Sequence, residues 1–309
     1  MLTVEDEING EIISGKLACS KCGTSFPIIG GIPRFVKSEL YTRVFGFQWN
    51  KYATTQADSV NGSTIYSGRF KNITKWDISQ LSERLVLDAG CGPGSFVDVI
   101  AGTGAEIVAF DLSNAVDACY KNHGQKKNVH VFQADVYNLP LKKEIFDYLY
   151  CIGVIHYTPF PKKTISVLPQ YLKKGGKMAL WTYIKLPLGL PRPKHILRLY
   201  TSRLSVKDGE NFVDWYVPKA IKARNFFGGI PIVGKYLKKL IPVADYTGIF
   251  ELSKEQLNEW ALMDTYDMLM PEFEHPMDFR TYRKYLLKNS MMDIKCDKTA
   301  GIAVTASKA

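Results

Sequence analysis

The chain has 309 residues, 46% hydrophobic and 23% charged, a balance typical of folded globular proteins that excludes long-range disorder. At about 150 residues per domain it is one large domain with additions, or two modest ones. A net charge of +10 favours anionic partners such as nucleic acid, phosphorylated metabolites or acidic lipid surfaces, and does not choose among them.

No apolar run approaches the roughly 18 residues needed to span a bilayer, and the opening MLTVEDEING lacks the basic-then-apolar order of a leader. The expected location is cytoplasmic. Four of the six cysteines, Cys91, Cys119, Cys151 and Cys296, are scattered, and only Cys19 and Cys22 stand at a spacing with a mechanism. Reduced thiols fit this usage better than a disulfide framework.

In chain order, residues 1–37 read as a small β unit punctuated by Gly and Pro, and residues 38–80 as a helical lead-in. Over 81–183, short apolar runs at 85–87, 107–110, 129–132, 146–154 and 177–183 alternate with helical stretches at 115–121 and 165–173, the second stopped by Gly175 and Gly176. Strands so uniformly apolar belong in a parallel sheet covered on both faces. Residues 184–276, rich in Pro and aromatics, break the alternation and read as an inserted cap. Residues 277–309 resume it with a helix over 279–288 and strands at 292–296 and 302–306, paired antiparallel around Ala300 and Gly301.

The informative stretch is Leu85-Val86-Leu87-Asp88-Ala89-Gly90-Cys91-Gly92-Pro93-Gly94, an apolar strand that feeds a tight glycine turn and opens a helix. Glycines there let a ligand approach the backbone closely. Ser95 stands where a dinucleotide site wants Gly or Ala, so the pattern is DxGxGxG. It resembles motif I of the class I S-adenosylmethionine-dependent methyltransferases, whose loop holds the amino acid part of the cofactor. That resemblance implies a Rossmann-like α/β fold with a seven-stranded, mostly parallel sheet and an antiparallel last strand. It also assigns Gly90, Cys91, Gly92 and Gly94, with Asp88, to the cofactor.

The neighbouring strands extend the likeness. Asp111, followed by Leu112, ends the second strand, where an acid can accept from both ribose hydroxyls or cap the next helix. Asp135 ends the third and matches the family's acid at the adenine amino group, with Val136 against the ring. Cys151 and His156 lie on and just past the fourth, and Leu172 to Lys177 supplies the next landmark. Three acids ending three successive strands all point to the carboxyl edge, where open α/β sheets bind ligands. The lead-in Phe45-Gly46-Phe47-Gln48-Trp49-Asn50-Lys51-Tyr52 resembles relatives whose N-terminal helix closes over the cofactor. Gln48, Trp49 and Arg69 are candidates there, Arg69 because guanidinium and carboxylate match as a fork; packing for Trp49 and a surface ion pair for Arg69 are the alternatives.

Methyl transfer from a sulfonium is an in-line displacement, so the protein must align the reacting atoms and exclude water. A base is needed only when the nucleophile arrives protonated, and His156 is the candidate because imidazole titrates near neutrality. Capping the next segment or packing beside Tyr157 would also explain it. Residues 151–156 lack the Asn/Asp-Pro-Pro-aromatic signature of base-nitrogen or glutamine methylases. No Pro-Cys pair is present to attack a pyrimidine. Nucleic acid is therefore disfavoured as acceptor, though the charge keeps it open.

Within the cap, residues 194–204 and 232–241 place apolar residues on one helical face and basic residues on the other, a pattern that suits a membrane surface, an anionic substrate or plain packing with solvated lysines. Asp264-Thr265-Tyr266-Asp267 resembles an element of bacterial methyltransferases associated with glycan, lipid or secondary-metabolite modification. Tyr266 and Asp267, with Tyr157 and Tyr183, are the acceptor-side candidates. The expected acceptor is an oxygen or nitrogen of a small molecule or a glycan or lipid precursor; an RNA or protein acceptor, or a non-catalytic cofactor-binding role, is the alternative.

Residues 15–33, with Cys19-Ser20-Lys21-Cys22, Phe26-Pro27-Ile28 and Gly31-Ile32-Pro33, look like the second half of the zinc ribbon of tRNA- and protein-methyltransferase activator subunits. Tetrahedral zinc needs four ligands, and that family's first CxxC would fall upstream of Leu2. The expectation is half a site without zinc, held by packing.

Overall fold

The computed structural model describes residues 1–36, 41–185, 192–298 and 301–309. Strands β1 (Leu2–Ile8), β2 (Glu11–Ala18), β3 (Ser25–Ile29) and β4 (Ile32–Pro33) form an antiparallel sheet in that order. Helices α1 (Arg43–Lys51), α2 (Asp58–Asn61) and α3 (Ile65–Thr74) lead into the alternating region. There β5 (Leu85–Ala89), α4 (Ser95–Ile100), β6 (Glu106–Asp111), α5 (Ala115–His123), β7 (Val129–Gln133), β8 (Phe146–Ile152), α6 (Pro161–Val167) and β9 (Leu172–Thr182) follow one another. Next come α7 (Pro193–Thr201), α8 (Val206–Gly228), α9 (Gly234–Leu237) and α10 (Lys254–Leu269). The chain closes with α11 (Phe279–Lys288), β10 (Met291–Asp297) and β11 (Ile302–Lys308).

The large sheet has the order β10-β11-β9-β8-β5-β6-β7, and β11 is antiparallel to both neighbours while the other six strands share one direction. This is the seven-stranded Rossmann-like arrangement that the sequence predicts. Alternation along the strands divides the core between the two faces: Val86, Ile107 and Tyr150 pack on one side, Leu87, Phe110 and Leu149 on the other. The strand order reverses between β5 and β8, which opens a crevice at their carboxyl ends.

Two expectations are corrected. The helix predicted over 165–173 ends at Val167, because Pro169 cannot donate to a helical ladder; a 3-10 turn, Leu168–Tyr171, follows. Leu172 already pairs with Phe146, and Gly175, at φ +76°, belongs to an irregularity in β9 before Lys177 pairs with Tyr148. In the cap, 232–241 is not one amphipathic helix but the single turn α9 and a 3-10 turn, Lys238–Leu240. Gly234 there lies against α8, where an added Cβ would fall 2.5 Å from the Gly228 carbonyl oxygen.

Helix α7 is inverted relative to its sequence pattern. Lys194 and Arg198 are buried while Ile196, Leu199 and Tyr200 are exposed. The cause lies at the end of α10, whose last carbonyls need donors. Arg198 donates to the Met268 oxygen at 3.2 Å and the Pro271 oxygen at 2.7 Å, and the Thr201 hydroxyl to the Leu269 oxygen at 2.8 Å.

The N-terminal sheet is joined to the core by packing and polar contacts. Phe35 N–H donates to the Gln133 oxygen at 2.8 Å, and Arg34 reaches Asp117 and Gln133. Gly31, at φ +80°, passes so close to Tyr120 that a Cβ would meet its hydroxyl at 2.3 Å. Cys19 and Cys22 are exposed, and among the described residues no group of three or more His, Cys, Asp or Glu side chains gathers to hold a metal. Also among the described residues, no helix is long and apolar enough to cross a membrane. The 37–38 boundary and Ala300 lie outside the described residues.

Candidate cofactor and acceptor site

The carboxyl ends of β5, β6, β7 and β8 open into a cavity of about 1150 Å³, walled on its other sides by the lead-in helices and the cap. Gly90, Cys91 and Gly92 form its floor. The Gly90 and Cys91 N–H groups donate to the Phe110 oxygen at 2.8 and 2.9 Å, which pins the turn. Gly90 has φ +86°, and a Cβ there would sit 2.4 Å from Val154 Cγ2. Trp49 lies over Gly92, its Nε1 3.5 Å from where a Cβ would be.

Asp111 and Leu112 line the cavity beside this loop, and Asp135 and Val136 follow. The Asp111 carboxylate accepts from Gly92 N–H at 3.1 Å and from the Ser113 N–H and hydroxyl at 2.8 Å each. Burial holds its carboxyl above the usual range, and these donors pull it back. A carboxylate has about four lone-pair sites, so Asp111 keeps capacity for hydroxyls from the cavity. Asp135 also accepts from Tyr137 N–H at 2.9 Å. The helix-cap role and the ligand role are thus compatible at both acids.

Arg69 lines the cavity with its guanidinium 4.7 Å from the Trp181 ring centroid. Among the described residues it forms no ion pair with a carboxylate. A half-buried guanidinium over aromatic rings, which donates to the Tyr66 hydroxyl at 3.5 Å and has no carboxylate in direct contact, fits a ligand carboxylate. Bare glycine backbone and the acceptor carboxylates of Asp111 and Asp135 complete a set that suits an amino acid joined to a nucleoside. Cys151 lies in the same wall.

Four predicted site residues do not line the cavity. Asp88 is buried behind the loop, accepts from the Tyr150 hydroxyl at 2.9 Å, and is pushed up to about 8 by burial. Gly94 opens α4 at φ +85° and backs onto His123, 2.5 Å from an added Cβ. Gln48 is fully buried and donates to the Met263 oxygen at 3.1 Å, tying α1 to α10. Tyr266 packs against Phe47 and the α8 core instead of facing the acceptor side. One helical step separates it from Asp267, and that step turns it by about 100° onto an adjoining face of α10.

On the acceptor side, His156, Tyr157, Tyr183 and Asp267 come together. His156 is fully buried, its ring centroid 4.2 Å from that of Tyr157 and 4.4 Å from that of Tyr183, and neither ring nitrogen has a hydrogen-bond partner among the described residues. Burial, with Lys194 and Arg69 adding to it, pushes its pKa well below the ordinary value, so the imidazole is neutral. The Tyr157 hydroxyl donates to Asp267 Oδ2 at 2.9 Å.

Sequence reasoning missed Asp264, which also lines the cavity and accepts from Tyr246. Its signal was present: three residues before Asp267, it shares that residue's helical face. Burial raises Asp264 to about 6 and Asp267 to about 7, the charge of Asp264 adding to the second. Arg192 and Lys194, two of the cap's basic residues, also line the cavity, Lys194 buried and paired with Glu274 at 2.5 Å.

Residues 87–180 match the family model described as Methyltransferase domain. The chain carries a class I S-adenosylmethionine-dependent methyltransferase domain. The chain is 33% identical over 120 residues to a tRNA U34 carboxymethyltransferase of Psychromonas ingrahamii, a stretch covering 36% of each chain. It is 29% identical over 100 residues to a ubiquinone biosynthesis O-methyltransferase of Coxiella burnetii, covering 32% of this chain and 43% of that protein. The chain thus spans less than half the length of these curated relatives. In fold it is similar to an O-methyltransferase family protein of Burkholderia thailandensis, with TM-score 0.50 at 11% identity, over 88% of this chain and 65% of that one.

Proposed function

We propose that the chain transfers a methyl group from S-adenosylmethionine to an oxygen or nitrogen of a small molecule or a glycan or lipid precursor. The observation that carries this reading is one continuous cavity whose floor is the glycine loop and whose roof is Asp264, Asp267 and Tyr246 of the cap. A half-open space roofed in this way suits a small acceptor group. The name of the Coxiella relative supports an O-acceptor, and the name of the Psychromonas relative, with the +10 charge, supports RNA as the second reading.

The cofactor supplies an electrophilic methyl group on sulfur. In this reading Arg69 holds its carboxylate, Gly90 to Gly92 admit its amino acid part, Asp111 accepts from its ribose, and Asp135 with Val136 borders its adenine. The neutral imidazole of His156 accepts the acceptor's proton on one of its two free ring nitrogens, Nδ1 or Nε2, as the new bond forms. Tyr157 and Tyr183 hold that ring between them and keep water from it.

The test is incubation with methyl-labelled S-adenosylmethionine and a host extract, followed by fractionation, against an Asp111→Asn control. Label in lipid or small metabolites supports the reading. Label in RNA or protein overturns the acceptor class, and absence of label from every fraction favours a non-catalytic cofactor-binding role.

A further inference from the structure

The cap presents a hairpin whose apolar side chains point away from the protein. Between the end of α8 and the turn after α9, Phe226 is 74% exposed, Ile232 87%, Tyr236 60% and Leu240 61%. The hairpin is nonetheless closely packed at its base. Gly234 N–H donates to the Ile230 oxygen at 2.9 Å, and the Gly234 backbone lies against Gly228 so closely that no side chain fits. Ile232 at the tip has φ +66°, a left-handed conformation unfavourable to a β-branched residue. A strained, almost wholly exposed isoleucine thus stands at the tip of a packed turn.

Cations are interleaved with these residues. Lys235, Lys238 and Lys239 lie on the same hairpin, and among the described residues none forms an ion pair. On α8, Trp215, Lys219, Lys222 and Phe226 recur at spacings of four, three and four, which places them on one helical stripe. Lys219 lies 4.4 Å over the exposed Trp215 ring. The hairpin also borders the cavity, whose lining includes Lys238, Lys239 and Ile241.

We infer that this hairpin and the adjoining stripe of α8 dock on an anionic lipid bilayer, with Phe226 and Ile232 entering the headgroup and acyl boundary and the lysines meeting lipid phosphates. Apolar and aromatic tips ringed by lysine are the composition of an interfacial anchor. A second copy of the chain is a poorer occupant, because a two-fold contact would bring the same lysines face to face. Docking puts the cavity rim at the headgroup layer; that the acceptor is therefore drawn from the membrane rests on the methyl-transfer reading, whereas docking itself does not.

The experiment is co-sedimentation of the full chain with phosphatidylcholine vesicles, with and without added phosphatidylglycerol, at low and raised salt. The variant is Phe226→Ser/Ile232→Gly, which touches neither the cavity nor an ion pair and relieves the positive φ. Thermal melting establishes that it folds. Binding that requires phosphatidylglycerol, weakens with salt and falls at least tenfold in the variant is the expected result. Absence of binding, or binding that the variant leaves unchanged, overturns the inference. So does a concentration-dependent dimer, seen by analytical ultracentrifugation, that the variant abolishes, since the occupant would then be a second copy. No turnover is measured, so failure of docking and failure of methyl transfer are read separately.

Discussion

Gly90→Ala tests whether the glycine loop is shaped by its neighbours as described. A Cβ at position 90 would sit 2.4 Å from Cγ2 and 2.8 Å from Cγ1 of Val154, and the backbone there has φ +86°. The left-handed conformation costs a non-glycine residue about 1–2 kcal/mol. Forcing Val154 aside adds the usual overpacking cost of about 1–3 kcal/mol, so the substitution should destabilise by roughly 2–5 kcal/mol. The two contributions separate in a double-mutant cycle. Val154→Ala removes both clashing carbons and leaves only Cβ, at 3.1 Å. In that background Gly90→Ala should cost only the conformational part, a favourable coupling of about 1–3 kcal/mol. Urea unfolding followed by tryptophan fluorescence measures the four stabilities, and calorimetric titration with S-adenosylhomocysteine measures the cavity. Affinity should fall in Gly90→Ala and recover in the double variant, because Val154 is itself a wall residue. Additive effects within about 0.5 kcal/mol, or a neutral Gly90→Ala, would refute the assigned contact.

Arg69→Lys keeps the charge but loses the fork, and should weaken S-adenosylhomocysteine binding about tenfold, or about 1.4 kcal/mol, by calorimetry; unchanged affinity would return Arg69 to packing. His156→Asn should lower the transfer rate by roughly 100-fold or more. Because burial pushes His156 well below the ordinary imidazole value, the wild-type rate should hold as pH falls through 6.5, and a variant with full rate at every pH would remove His156 from the chemistry. Asp267 is raised to about 7 from 3.8, so between those values the native state binds more protons than the unfolded chain and stability falls as pH rises. Asp267→Asn should remove up to about 1.4 kcal/mol per pH unit of that slope in urea midpoints taken across the window, and an unaltered slope would contradict a buried native carboxyl. Arg34→Ala should expose residues 1–36 to limited proteolysis while leaving the large sheet protected; equal protection would mean that apolar packing alone holds the ribbon sheet.

Strands β5 to β8 were legible because each is short, mainly apolar and bounded by turns, and they lie within two residues of where the pattern puts them; β9 starts five residues earlier than the pattern puts it, since Leu172 already pairs with Phe146. The cavity acid Asp111 was legible for the same reason, because it is the last residue of β6 and a strand end fixes its direction; Asp135 stands two residues beyond β7 as the cap of a 3-10 turn and still reaches the cavity. Asp88 shows the limit of motif reading. It stands at the expected position, but Tyr150 on the neighbouring strand takes its carboxylate and buries it behind the loop. That neighbour is decided by strand order, and a single sequence does not display strand order.

The cap was least legible because its helices satisfy one another and do not follow their own amphipathic patterns. In α7 a solvated basic face and a buried apolar face were the expected arrangement, and the structure reverses it. The reversal follows from a requirement elsewhere: α10 ends where Met268, Leu269 and Pro271 present carbonyls that only donors can satisfy, and Arg198 and Thr201 supply them. Once those side chains turn inward, Ile196, Leu199 and Tyr200 must turn outward, because a helix cannot bury opposite faces against one neighbour. The same anchoring fixes α10 in rotation, so Asp264 and Asp267 face the cavity and Tyr266 faces α8. On the proposed reading, acceptor choice would depend on helix-end carbonyls as well as on the residues that line the pocket. Arg198→Leu should shift acceptor KM by loosening α10, while leaving S-adenosylhomocysteine affinity within about twofold of wild type. Cofactor affinity that fell along with it would show that the cap and the cofactor floor move as one body.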